Sequence, residues 1–179
     1  MLEQGQALNF ETDDVEGADL TGTFVTANQK ISVIGGHECA NVPKGISACD
    51  HLEQQLFPVD TWGDEFVGAK FQPRGSEPDI WRVVAAESGT TITTSPPIPG
   101  INERILGRGE HIEFTTDLDF VLTSNGPVSL AQFMVGSAYP GPANGCDVTS
   151  PLGDTSRCAI PRTCPTTNSA IGDPAFLIN

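Results

Sequence analysis

Turn-forming residues recur every few positions along this chain, and between them apolar residues alternate with polar ones in segments dense in β-branched side chains. That spacing leaves no room for the uninterrupted 3.6-residue periodicity of a packed helix, whereas period-2 alternation over short runs is the pattern of half-buried strands. The 19 glycines and 14 prolines among 179 residues exceed ordinary usage. They fall short of the roughly 25–30% expected of disordered chains. Frequent turns between folding segments point to an all-β protein, a β-sandwich or jelly-roll-like module. Strands are predicted at Ala7–Glu11, Leu20–Thr26, Ile31–Gly35, Phe66–Lys70, Ile80–Ala85, Thr90–Thr94, Glu103–Leu106, His111–Thr115, Phe120–Thr123 and Val128–Val135. Only Cys49–Leu56 suits a helical turn or two, with Asp50 as cap and Glu53 three residues on. Trp62, Phe66, Trp81, Phe114, Phe120 and Phe133 are the expected core.

An internal repeat runs through this pattern. Leu2-x-x-Gly5-Gln6-x-Leu8-x-Phe10-x-Thr12 is matched by Leu106-x-x-Gly109-Glu110-x-Ile112-x-Phe114-x-Thr116. Each copy is followed by a second match, Thr26–Val33 (TANQKISV) and Thr123–Leu130 (TSNGPVSL), read as strand, four-residue turn and strand. Two copies are too few for a solenoid. They imply one β-rich module, or part of a larger domain, with related halves at 1–100 and 101–179.

Cysteine usage sets the compartment. Cys39 and Cys49 bracket a short loop, and Cys146, Cys158 and Cys164 lie in a Pro/Gly/Thr-rich stretch. None forms a CxxC, so zinc-ribbon and thioredoxin readings fail on spacing. Disulfides formed outside the cytosol are the expectation. A Cys39–Cys49 bridge closes a loop whose chain entropy corresponds to roughly 3 kcal/mol. Among the other three, 146–158, 146–164 and 158–164 all stay open, and the odd cysteine requires a partner elsewhere. The N-terminus MLEQGQALNF lacks the basic-then-apolar layout of a signal peptide, so an exported chain implies a signal removed or a piece excised from a longer protein.

A formal net charge of −14, with 9 basic against 23 acidic residues, repels phosphate backbones and anionic lipid. No segment approaches the ~20 apolar residues of a membrane span. Hydrolase signatures are missing: no serine sits in GxSxG, and Asp60-Thr61-Trp62-Gly63 is not the DTG of aspartic proteases. No GxxxxGK[ST] or helix-opening GxGxxG occurs. His111 lies in an alternating strand without a nucleophile partner in sequence. His37, Glu38, Asp50, His51 and Glu53 would converge if Cys39 and Cys49 are bonded, a chemically sensible Zn²⁺ set. HECAN is not HExxH, however, and adjacent strand residues face opposite ways. The preferred reading has these groups bonding the loop backbone. Asp13, Asp14, Glu16 and Asp19 form an acidic turn without EF-hand spacing, read as solvated rather than Ca²⁺-binding. No cofactor is expected.

The segment running from DLTGT (Asp19–Thr23) through GHECANVP (Gly36–Pro43), CDHLEQQ (Cys49–Gln55) and PVDTWG (Pro58–Gly63) to WRVVA (Trp81–Ala85) resembles the IgGFc-binding protein N-terminal domain family. NGPVSLAQF (Asn125–Phe133) and GDPAF (Gly172–Phe176) extend the likeness over most of the chain. The resemblance implies a β-rich, non-catalytic extracellular or cell-surface module of the bacterial type, working in adhesion, ligand binding or assembly. Its partners would be proteins or glycans, with self-association through strand edges. Two other readings remain: carbohydrate recognition through an exposed Trp or Tyr139, and a zinc-dependent hydrolase built on His37, Glu38, Asp50 and His51.

Overall fold

The computed structural model describes residues 2–12, 17–45, 49–72 and 77–135, together with the backbone of 176–178. It is all-β. The strands are β1 (Ile34–Ala40), β2 (Asp50–Gln55), β3 (Gly63–Gly68), β4 (Asp79–Ala85), β5 (Thr90–Ser95), β6 (Arg104–Leu106), β7 (His111–Thr116), β8 (Phe120–Phe133) and β9 (Phe176–Ile178). Among the described residues a single 3-10 turn spans Val59–Thr61.

The longest strand organises the rest. The first part of β8 pairs with β3 and β5, with Leu122 opposite Phe66 and Thr94. Its last part pairs with β4 and β9, with Leu130 opposite Val83 and Ile178. β5 carries β6 on its other side, and β4 carries β7. Two antiparallel layers result, β6-β5-β8-β3 and β7-β4-β8-β9, and they share β8.

Alternation explains the core between them. Trp81, Val83 and Ala85 of β4, Ile92 of β5, Phe114 of β7 and Phe120, Leu122, Val128 and Leu130 of β8 form one buried cluster with Phe66 and Leu106. The rings of Trp81 and Phe120 meet edge to face at 4.9 Å, and Phe114 approaches Phe120 at 5.7 Å. Such contacts add to the area term, which is about 25 cal/mol per Å² of apolar surface.

The second half of β8 breaks the alternation, because every residue from Val128 to Phe133 is buried. Its outer face has its own cover. β1 and β2 form a separate antiparallel hairpin, and Val42 and Leu52 from this lobe pack on a cluster of Ile80, Ala131, Phe133 and Val135. A strand covered on both sides reads as a continuous apolar run, as buried strands do.

Four expectations change. Cys49–Leu56 is no helical turn: Asp50–Gln55 is a strand, since Cys39–Cys49 aligns it with β1 and its burial alternates residue by residue. Thr123–Leu130 does not turn at SNGP; the backbone stays in the ladder and joins the two predicted strands into β8. Among the described residues no strand precedes Ile34, so the strands predicted at Ala7–Glu11 and Leu20–Thr26, and most of Ile31–Gly35, are absent as ladders. Alternation there finds no paired neighbour. Trp62 is half-buried rather than core, because its indole N–H turns back to the Phe57 carbonyl at 3.3 Å.

Candidate functional site

The outer face of the β7-β4-β8 layer gathers the residues singled out in sequence. Arg82 lies on it, in the middle of an otherwise apolar strand, at a position where burial demands a partner. Its Nη1 donates to Asp19 Oδ2 at 3.0 Å and to Thr21 Oγ1 at 2.8 Å, and its Nη2 donates to Glu113 Oε2 at 2.8 Å. The guanidinium also stands 5.4 Å from the Phe133 ring centroid. Arg82 thus ties the DLTGT segment to β4 and, across the sheet, to β7.

The clasp is shaped locally as well as by charge. Asp19 Oδ1 accepts from the Thr21 N–H at 2.8 Å and the Thr21 hydroxyl at 2.6 Å, and the Thr23 N–H donates to the Leu20 carbonyl. This side-chain-to-backbone turn is the usual use of aspartate in such loops. Gly22 and Gly109 touch backbone to backbone: both have positive φ, and a Cβ on either would run into the other's carbonyl. Beside them Arg108 lies 4.0 Å from the centroid of the Phe24 ring. Burial works to raise the Asp19 carboxyl pKa, but the Thr21 bonds, then the charge of Arg82 and a lesser contribution of His111, outweigh it and hold the group below its ordinary value.

The hairpin lobe is the other element on this face. Cys39 and Cys49 are bonded, with Cα atoms 4.8 Å apart. Asp50, Leu52 and Gln54 turn toward the body, while His51, Glu53 and Gln55 face solvent. His37 Nδ1 accepts from the Cys39 N–H at 2.9 Å, and His51 Nε2 lies 3.4 Å from Glu53 Oε2. His37 and Glu38 are exposed. Among the described residues no three His, Cys, Asp or Glu side chains come together as a metal-holding group. The five polar residues of the lobe are therefore spread along the hairpin rather than focused on one point.

Gln132, in the NGPVSLAQF strand, was not singled out from sequence. Its buried Nε2 donates to the Ala69 carbonyl at 2.9 Å and to Asp79 Oδ2 at 3.0 Å, and Asp79 Oδ2 also accepts from the Phe71 N–H at 2.6 Å. This buried polar knot ties the ends of β3, β4 and β8 together. A glutamine within an apolar run was the available signal.

Trp81 is fully buried and has no face to offer a sugar. Tyr139, Cys146, Cys158, Cys164, Asp13, Asp14, Glu16 and GDPA (172–175) lie outside the described residues.

With DLTGT, GHECANVP, CDHLEQQ, WRVVA and NGPVSLAQF all placed on one layer, the comparison with known proteins falls into line. A family model described as IgGFc binding protein matches residues 1–177. The chain belongs to the IgGFc-binding protein family. The human IgGFc-binding protein is 29% identical over 119 residues, which is 66% of this chain and 2% of the human protein. The chain therefore spans a small fraction of that relative's length. No solved structure matches it. No helix among the described residues is long and apolar enough to cross a membrane.

Proposed function

We propose that this IgGFc-binding family domain is a non-catalytic extracellular module that binds protein partners in adhesion or assembly. One observation carries the reading: a disulfide-pinned hairpin is seated on the outer face of a layer, and its solvent side is a ridge of polar side chains. A ridge held from behind by Val42 and Leu52 and pinned at Cys39–Cys49 loses little conformational entropy on binding, the condition for affinity from a modest surface. The disulfide supports an oxidising compartment. The human relative named for IgGFc binding supports a protein as the partner class.

The test pairs light scattering across a concentration series with biosensor binding to immobilised IgG Fc. Concentration-dependent association, or saturable Fc binding, that is lost when Cys39 and Cys49 are both changed to serine supports the reading. A strict monomer that ignores Fc counts against it. Peptide mass mapping of non-reduced protein should recover the Cys39–Cys49 cross-link, and free thiols there would remove the compartment argument.

A further inference from the structure

The solvent face of the hairpin lobe changes chemistry along its length. Ile34 of β1 pairs with Gln55 of β2, so their side chains stand on the same face, as do the positions of Gly36 and Glu53. Beyond Gln55 the Leu56 N–H donates to the Val33 carbonyl at 2.9 Å. The Leu56 side chain turns to the Gly35 side, 3.4 Å from where a Cβ on that glycine would stand. Alternation then returns Phe57 to the face of Gln55 and Ile34. Ile34 is 62% exposed and Phe57 45%. The tip of the same lobe is polar. His51 Nε2 lies 3.4 Å from Glu53 Oε2, and Glu38 is exposed at the register shift that follows His37.

Two features set Ile34 and Phe57 apart from scattered surface hydrophobics, which need no explanation. The first is that they are held in place. The Phe57 carbonyl accepts from the Trp62 indole N–H at 3.3 Å. Behind it the Pro58 carbonyl accepts from the Thr61 hydroxyl at 2.7 Å and the Thr61 N–H at 2.9 Å, and the Val59 carbonyl from the Trp62 N–H at 3.1 Å. PVDTWG, a motif with no part in the clasp or in seating the lobe, thereby fixes the end of β2. The second feature is charge. From Ile31 to Pro43 and from Cys49 to Ala69 there is no Lys or Arg, against Glu38, Asp50, Glu53, Asp60, Asp64 and Glu65. Such a rim repels a second copy of a chain of charge −14 and attracts a basic surface.

We propose that Ile34 and Phe57 are the apolar anchors of the lobe's binding face, and that the partner is a protein presenting an apolar recess edged by Lys or Arg side chains that meet Glu38 and Glu53. The anchors supply the affinity, and the charged rim supplies the encounter rate and the choice of partner. The inference rests on the lobe being the binding face and names what the partner brings to it.

The experiment titrates the isotope-labelled 179-residue chain with a short peptide in which leucines are flanked by lysines. Control peptides carry serine for leucine or glutamate for lysine. The expected result is a saturable NMR shift of the Ile34, Glu53, Gln55 and Phe57 amides that weakens with added salt and is absent with both controls. Ile34→Ser and Phe57→Ser, at exposed sites that leave the melting temperature unchanged, should each weaken binding about tenfold, as loss of one apolar anchor requires. Glu53→Gln should flatten the salt dependence. Absence of binding overturns the proposal, as do shifts spread over the acidic surface at large or binding that both serine variants leave unchanged. Self-association or Fc binding that persists in both serine variants refutes the anchors and leaves the protein-binding reading. Peptide uptake at the anchors by a strict monomer that ignores Fc does the reverse.

Discussion

Replacing Arg82 with methionine removes the ion network while keeping a side chain of similar reach in the strand. Methionine keeps an unbranched stem in the strand and removes the guanidinium, together with its 5.4 Å approach to the Phe133 ring centroid. Two carboxylates lose their partner, Asp19 at 3.0 Å and Glu113 at 2.8 Å, along with the Thr21 hydroxyl at 2.8 Å. Buried charged hydrogen bonds are worth about 1.5–3 kcal/mol, and exposed ion pairs about 0.2–1 kcal/mol. The Arg82 side chain is 24% exposed and its partners 37% and 35%, so water rehydrates the abandoned carboxylates. Each pair is then worth about 1 kcal/mol, for a total near 2 kcal/mol. For a chain of this size that lowers the melting temperature by about 4–8 °C. Hydrogen exchange supplies the second readout. The Thr21 and Thr23 amides, bonded to Asp19 and Leu20, should exchange faster in Arg82→Met, while β5 amides stay protected. Arg82→Lys keeps the charge, loses the fork and should recover about half of the effect. Glu113→Gln should lower the melting temperature without freeing Thr21. A variant that melts like the wild type and leaves both amides unchanged would falsify the assignment of the clasp to Arg82.

Changing Cys39 and Cys49 together to serine should destabilise the hairpin by about 3 kcal/mol, the chain-entropy value for a separation of 10 residues. Limited proteolysis should then cut within β1–β2 while β4, β5 and β8 keep their exchange protection. Gly68→Ala places a Cβ against the Phe120 ring, and overpacking of this kind costs about 1–3 kcal/mol, to be read from denaturant unfolding. Asp19 has a lowered folded pKa, so its contribution is complete above the unfolded carboxylate value and is lost as pH falls through the lower folded one. A carboxyl NMR titration of Asp19 should show its inflection below the ordinary aspartate value, and one at or above that value would refute the clasp's electrostatics. His51→Ala and Glu38→Ala, both at exposed positions, should shift stability by no more than about 0.5 kcal/mol and change partner binding instead.

Strands β4, β5, β7 and β8 were legible because their alternation is the alternation of one core: Trp81, Val83, Ile92, Phe114, Leu122 and Leu130 recur at period 2 and all are buried. β2 was hidden because Asp50, Leu52 and Glu53 satisfy a helix start as well as a strand. What decides between the two is a non-local bond to Cys39, which local pattern does not contain. SNGP carries turn chemistry, yet Ser124 uses its hydroxyl on the Gly126 carbonyl and Asn125 accepts from the Thr91 N–H, so these residues serve the ladder instead of reversing it. The Arg82 clasp had a signal in sequence, a lone base inside an apolar strand. Its partner Asp19 lies 63 residues away, and only the fold joins them.

The family motifs divide by what their side chains touch. Asp19 and Thr21 of DLTGT, Val42 of GHECANVP, Leu52 of CDHLEQQ and Gln132 of NGPVSLAQF all face inward, onto Arg82, the Ile80–Phe133 cluster or Asp79. Their shared task is to seat two appendages, the N-terminal clasp and the disulfide lobe, on one face of one layer. The residues they carry into solvent, His37, Glu38, His51 and Glu53 on the lobe and Phe10 and Val25 before it, make few bonds to the body. The proposed partner contact is therefore to be tested on the lobe's solvent face, while the Arg82 and Gln132 networks hold the face on which the lobe sits.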